Sequence, residues 1–223
     1  QQVGHVTKEL VRNYKLKKNF KHYIMKKGII ALIVFAVLGV IIYSTLKGFN
    51  NTAVELNENV SEAWGNVQTS YQRRNDLIGN LVNTVKGAAD FERNTLREVV
   101  EARAKATQTT IDPTNISPQQ LQQFNQVQGG LSSALSRLLV TIEKYPDLKA
   151  NENFLKLQDE LTSTENTIQT ARVRFNEAIK PYNNHVKKFP NSIYAGWFDF
   201  EGKPYFDAEV GAEKPVEVEF DFN

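Results

Sequence analysis

Three histidines, at positions 5, 22 and 185, are the chain's only imidazoles, and a metal or acid–base centre would have to be built around them. A zinc or iron site needs several imidazoles, thiolates or carboxylates converging within about 2 Å of one ion. His5 and His22 precede a long apolar run and His185 follows it, so a membrane between them would keep them apart, and His185 reads as a surface residue. The absence of cysteine removes thiolate zinc, iron–sulfur ligation, a cysteine nucleophile, disulfide bonds and a lipid-modified amino-terminal cysteine together. Neighbouring carboxylates at Glu98 and Glu101, or Asp159 and Glu160, have the right chemistry for proton transfer or cation binding. On exposed helix faces such pairs are solvated rather than catalytic. HExxH, GxSxG, the phosphate loop and the dinucleotide fingerprint do not occur, and Gly129-Gly130 lies in a helical repeat with no following Lys-Ser/Thr. The expectation is a protein that is not an enzyme, with no catalytic, cofactor-binding or metal-binding residues and no cofactor.

One polar cluster stands out. Arg73, Arg74, Asn75 and Asp76 interrupt an apolar stripe, and Arg74 falls on the stripe itself. The structural reading packs the Arg74 stem and pairs its head with a carboxylate on a neighbouring helix, with Glu165 as the partner opposite. The functional reading is a ligand or partner contact. With Trp64, Tyr71, Trp197, Phe198 and Phe200, residues Arg73, Arg74 and Asp76 form the candidate structural or partner-contact set.

The elements that must position these residues follow from charge and hydropathy. Residues 1–47 carry nine Lys/Arg against one Glu, leaving eighteen of the 27 basic and twenty-four of the 25 acidic residues for positions 48–223, although the net charge is only +2. Between these halves Gly28–Leu46 reads GIIALIVFAVLGVIIYSTL, without a formal charge. As a helix it spans roughly 28 Å, the thickness of a bilayer core. Eight basic residues precede it and only Lys47 follows before Arg73, so the positive-inside rule predicts a cytoplasmic amino terminus and an extracytoplasmic body, single-pass, in the inner membrane of a bacterium. The long apolar run and the lack of a small-x-small site argue for a retained anchor over a cleaved signal, and Ile33, where a pilin-type leader has Glu, argues against that class. Met25, the single methionine, precedes Lys26-Lys27 and the apolar run. Residues 1–24 read either as an extension or as a basic segment facing anionic lipid, with Tyr14, Phe20 and Tyr23 at the interface.

Beyond the anchor the pattern is helical. Val60, Trp64, Val67, Tyr71, Ile78, Leu81, Val85 and Ala88 step by three and four, Val99, Val100, Ala102 and Ala106 continue after a shift near Phe91, and no proline occurs before Pro113. One helix over about 51–109 is predicted, and its length implies a projecting stalk or arm. Ser117 caps a second helix with Pro118 at its first position, over about 117–145, carrying Leu121, Phe124, Leu131, Leu135, Leu138, Ile142 and Tyr145 in a rhythm broken by Gln128. A third, about 151–188, has a heptad seam from Phe154 to Tyr182. Thr164 in that seam reads either as a polar interruption that sets register or, preferred, as a surface-edge position, and Pro181 predicts a kink or end near residues 176–179. These helices predict an all-α fold: a basic cytoplasmic segment (1–27), a transmembrane helix (28–46), an extracytoplasmic antiparallel helical bundle or coiled coil (47–189), and an aromatic-rich extended carboxy-terminal tail (190–223). In the tail Val216, Val218, Phe220 and Phe222 alternate with acids like a strand, while Trp197, Phe198, Phe200, Tyr205 and Phe206 either pack back on the bundle or form a strip for a partner.

The string WGNVQTSYQRRNDLIGNLVNTVKGAADFERNTLREVVEARAKA (64–106), with LSRLLVTIEKYPDLKANENFLKLQDELTSTENTIQTARVRFNEAIKPYN (135–183), resembles the LemA family of bacterial membrane proteins. The likeness runs from about Met25 to the carboxy terminus. It departs at Gly79, where the family commonly has proline, and at Pro181, which is less usual there. The resemblance implies one amino-terminal anchor and a coiled helical body without an established enzymatic activity, and in some bacteria an accessory role beside membrane metalloproteases. The function expected is a non-enzymatic, membrane-anchored scaffold or adaptor of the cell envelope. Its expected partners are the lipid bilayer, further copies of itself and a membrane metalloprotease or other envelope protein; nucleic acid is excluded by the acidic body. The alternative is an extracytoplasmic sensor that binds a small ligand and signals through a partner.

Overall fold

The computed structural model describes residues 2–87 and 92–206, with side chains from Gly28 onward. The chain divides into two compact units, Gln1–Asn51 and Thr52–Asn223. In the first, the described residues all belong to helix α1 (Gln2–Lys86), whose later turns enter the second unit. Residues 28–45 are exposed around the whole circumference, with Leu32 and Phe35 more than 70% accessible. The Thr45 hydroxyl donates to the Ile41 carbonyl at 2.9 Å, so even this polar group is satisfied within the helix.

The second unit is built from the end of α1, α2 (Arg93–Gln108), α3 (Pro118–Ile142), a single turn α4 (Pro146–Lys149), α5 (Glu152–Lys187) and α6 (Asn191–Trp197), with no strand among the described residues. The long first helix expected over 51–109 is two helices. Arg103 Nε donates to the Asn75 carbonyl at 2.7 Å, whereas twenty-eight residues of continuous helix would separate these groups by about 42 Å. The chain therefore folds back, and α1 does not extend through α2 as a stalk. Arg137 on α3 reaches Glu98 on α2 at 3.1 Å, and Arg74 on α1 reaches Ser132 on α3 and Glu165 on α5, so α1, α2, α3 and α5 alternate in direction as an up-down-up-down bundle.

The caps match the residue types that build them. Ser117 accepts from the Gln120 N–H at 3.2 Å and Gln120 returns a bond to the Ser117 N–H at 3.0 Å, a reciprocal capping box ahead of Pro118. Asn151 Oδ1 accepts from Asn153 and Phe154 N–H groups and starts α5. Pro181 neither ends nor divides α5, which runs on to Lys187. Proline leaves the carbonyl four residues earlier without its helical bond, and Pro181 lies on the exposed side, where water can satisfy that oxygen.

The interior is layered. Leu77, Ile78, Leu81 and Val85 of α1 meet Leu96 and Val99 of α2, Leu131, Leu138 and Ile142 of α3, and Phe154 and Leu161 of α5 in one apolar cluster. Thr164, read from sequence as an edge residue, is 2% exposed and so lies in the interior of the seam. The seam then drifts: Ile179 is buried and Ala178 only half-buried, as expected where 3.6 residues per turn run against a seven-residue repeat. The segment from 190 onward is not wholly extended, since α6 intervenes before residues 198–206. The alternating stretch from Val216 to Phe222 lies outside the described residues.

Candidate functional site

Arg74 lies at the centre of the bundle with 4% of its side chain exposed. Nη2 donates to Gln128 Oε1 at 2.6 Å, Nη1 to Ser132 Oγ at 3.2 Å and to Glu165 Oε2 at 3.3 Å, and the guanidinium sits 4.9 Å over the Tyr71 ring. Three helices are thus joined through one buried cation. Gln128, the break in the α3 rhythm, is buried with it. Arg74 Nε and Asn75 Oδ1 are buried without a hydrogen-bond partner among the described residues. A cleft of about 820 Å³ opens beside this layer, lined among others by Tyr71, Arg74, Asn125, Glu165 and Arg172.

Asp76 faces the other way, accepting from Gln72 at 3.0 Å and lying 4.0 Å from Arg103. Arg73 is exposed. The Arg103 guanidinium crosses α1 directly over Gly79, where a Cβ would come within 3.0 Å of it. Glycine is needed here for close approach rather than for a bend: α1 passes through residue 79 without interruption. Gly79→Ala is expected to leave stability within about 1 kcal/mol of wild type, because the helix-propensity gain of about 1 kcal/mol is offset by displacing Arg103. In an Arg103→Ala background the same change should stabilise by about 0.5–1 kcal/mol, a non-additivity that urea unfolding of the four proteins resolves.

Below the Arg74 layer Trp64 is fully buried. Its ring lies 5.4 Å from Phe124, 5.3 Å from Phe175 and 5.9 Å from Phe206, and its Nε1 donates to the Ile111 carbonyl at 3.3 Å. Tyr71 meets Phe124 edge-on at 4.9 Å. Phe206 is brought here by a main-chain clamp on α5. Asn176 donates to the Phe206 carbonyl and accepts its N–H, at 3.0 and 2.9 Å; Asn183 does the same for Lys203, at 2.9 and 2.8 Å. Tyr182 donates to the Glu201 carbonyl at 2.8 Å. Seven residues of helix cover about 10.5 Å and three residues of extended chain about 9–10 Å, so the two asparagines match tail residues three apart. Of the other described tail aromatics, Trp197 is 68%, Tyr205 43% and Phe198 41% exposed, and Phe200 is half-buried.

Lys203 is buried, donating to the Thr114 carbonyl at 3.0 Å. Desolvation holds its pKa below the ordinary lysine value, partly countered by the Asp112 carboxylate. Asp112 is itself shifted down by bonds from the Thr114 hydroxyl and N–H, with Lys203 adding to them, and burial raises Tyr182, reinforced by Glu201. A lysine with a depressed folded pKa loses its penalty as pH rises toward its unfolded value of about 10.4, whereas a tyrosine with a raised folded pKa loses its contribution above about 10. The thermal midpoint of the body should therefore gain from Lys203 as pH increases toward 10 and lose from Tyr182 above it. In Lys203→Met the rising contribution should be missing.

The clamp residues Asn176 and Asn183 and the partners Gln128 and Arg103 were not among the sequence candidates, whereas Phe206 packs back on the bundle, one of the two readings given to the tail aromatics. The spacing of seven between the asparagines, beside the α5 seam, is the signal that points to them.

An amino-terminal apolar helix followed, among the described residues, by a helical body stitched by a central arginine and its own clamped tail defines a membrane-associated helical-bundle protein. Residues 63–220 match the LemA family, and the chain belongs to that family. Among curated proteins it is similar to magnetosome protein MamQ 2 of Paramagnetospirillum magneticum, 26% identical over 204 residues covering 83% of this chain and 75% of the relative. It is also similar to magnetosome protein MamQ of Magnetospirillum gryphiswaldense, at 23% with the same coverage, and to protein LemA of Metamycoplasma hominis, at 26% over 74% of this chain and 69% of the relative.

Proposed function

We propose that the protein is a non-enzymatic scaffold or adaptor held in a bacterial inner membrane by Gly28–Leu46, with its amino terminus in the cytoplasm and its helical body outside. The observation that carries this reading is the apolar stretch of α1, exposed on every face, joined to a body whose apolar seams are already buried against one another. An uncovered apolar helix of this length is satisfied by lipid, and the basic flank before it sets its direction. The body then acts by contact, with further copies of itself or with an envelope protein such as a membrane metalloprotease. The family membership and the relatives named as magnetosome proteins support a structural role at a membrane.

Protease added to spheroplasts is expected to remove the body, and full protection would overturn the orientation. Crosslinking and sizing in mild detergent are expected to recover assemblies; a strictly monomeric particle with no captured partner would overturn the scaffold reading. The sensor reading draws on the cleft of about 820 Å³ beside Arg74 and its unpartnered Nε. Thermal-shift screening against metabolites separates it, since a scaffold shows no stabilisation by any class.

A further inference from the structure

Within the body, α6 presents a face that no other element among the described residues covers. Ile193 and Trp197, four residues apart and so on one side of the helix, are 47% and 68% exposed, and Phe189 just before the helix is 82% exposed. Ala195 on the opposite side is buried and Tyr194 half-buried, so α6 is seated on the body by its small inner face while its large apolar side chains point outward. Lys187 and Lys188, both exposed, immediately precede this face. Large aromatics beside lysines are the composition of a membrane-interface contact, the rings entering the headgroup layer and the ammonium groups meeting phosphate.

The position of α6 in the bundle selects the same partner. A cleft of about 440 Å³ is lined by Asn57 of α1 together with Tyr182 of α5 and residues 199–203, which follow α6. This is the end of the body at which α1 enters it. Asn57 is eleven residues after Leu46, the last residue of the apolar run, a distance of about 16 Å along a helix. Eleven residues of chain are a short enough tether for this end of the body to meet a bilayer that holds the apolar run.

We propose that the face formed by Phe189, Ile193 and Trp197 is a lipid-surface contact that rests the body on the membrane anchoring it. The inference depends on the anchored reading, and the experiment separates the two. The full chain is reconstituted into phosphatidylcholine–phosphatidylglycerol vesicles, with and without lipid spin-labelled at the headgroup. The chain has two tryptophans, of which Trp64 is fully buried and Trp197 exposed, so their emissions separate. The labelled lipid is expected to quench Trp197 emission at least twofold, and Trp197→Phe to abolish the quenchable component. Trp197 emission that is open to aqueous iodide and untouched by labelled lipid overturns the proposal. Emission shielded from both quenchers also overturns it, because a protein surface then covers the face. Protein extracted from the vesicles by alkaline carbonate would instead overturn the anchor itself.

Discussion

Trp64→Ala is expected to lower the unfolding free energy of the body by about 3–5 kcal/mol, the range for removing a large aromatic from a closed core. Against a total stability of about 5–15 kcal/mol this is the largest effect of any single change to the bundle. Three losses coincide. The cavity opens between rings contributed by α3, α5 and the tail; the Ile111 carbonyl loses one of the two side-chain donors it has, keeping Gln68 at 3.2 Å; and Phe206 loses the ring it stacks on. Trp64→Phe keeps part of the area and should cost less than half as much. Urea denaturation followed by far-ultraviolet circular dichroism gives the values. A Trp64→Ala loss below about 1 kcal/mol would mean that the aromatic layer can collapse around the gap.

Arg74 should give the second-largest effect, with a sign that depends on what replaces it. Arg74→Ala is expected to cost about 3 kcal/mol or more: the stem leaves a cavity and Gln128 Oε1 loses its 2.6 Å partner. Glu165 softens the loss, because 48% of its side chain is exposed and turns to water when unpaired. Glu165→Gln should accordingly cost less than Arg74→Ala. Replacing the ionic layer by apolar groups removes the desolvation penalty of the guanidinium, so Arg74→Met with Gln128→Leu should be at least as stable as wild type. If that double variant is as unstable as Arg74→Ala, the polar layer is a net source of stability. If it is stable but loses a single oligomeric state, the layer specifies register instead, the role best attested for buried polar groups in helical bundles.

The long helices were legible in the sequence because each carries a three-four apolar rhythm, and Ser117-Pro118 names the start of α3; α6 was not, since its seven residues lie in a stretch read as an extended tail. The division into α1 and α2 was not legible either. The stretch from Gly87 to Glu92 contains no proline and one glycine, and local propensity alone allows helix to continue; what decides is the burial gained when Leu96 and Val99 fold back on Ile78 and Leu81, a tertiary effect. Arg74 and Glu165 could be matched because each lies on a seam or at its edge at corresponding depths. The clamp was harder to see, since Asn176 and Asn183 act on main-chain groups of the tail, which leave no trace in the identity of the residues they hold.

The aromatic layer also sets an order of events during synthesis. Trp64 leaves the ribosome 142 residues before Phe206. Until Phe206 emerges, Trp64, Phe124 and Phe175 share a core that lacks one wall, on a nascent chain already carrying an exposed apolar helix. Such partly closed intermediates expose the surfaces on which aggregation begins. A stall shortly before residue 206 should therefore leave a chain with most of its helices formed and its core still open to chaperones and proteases, so that the tail works as the closing step of biogenesis.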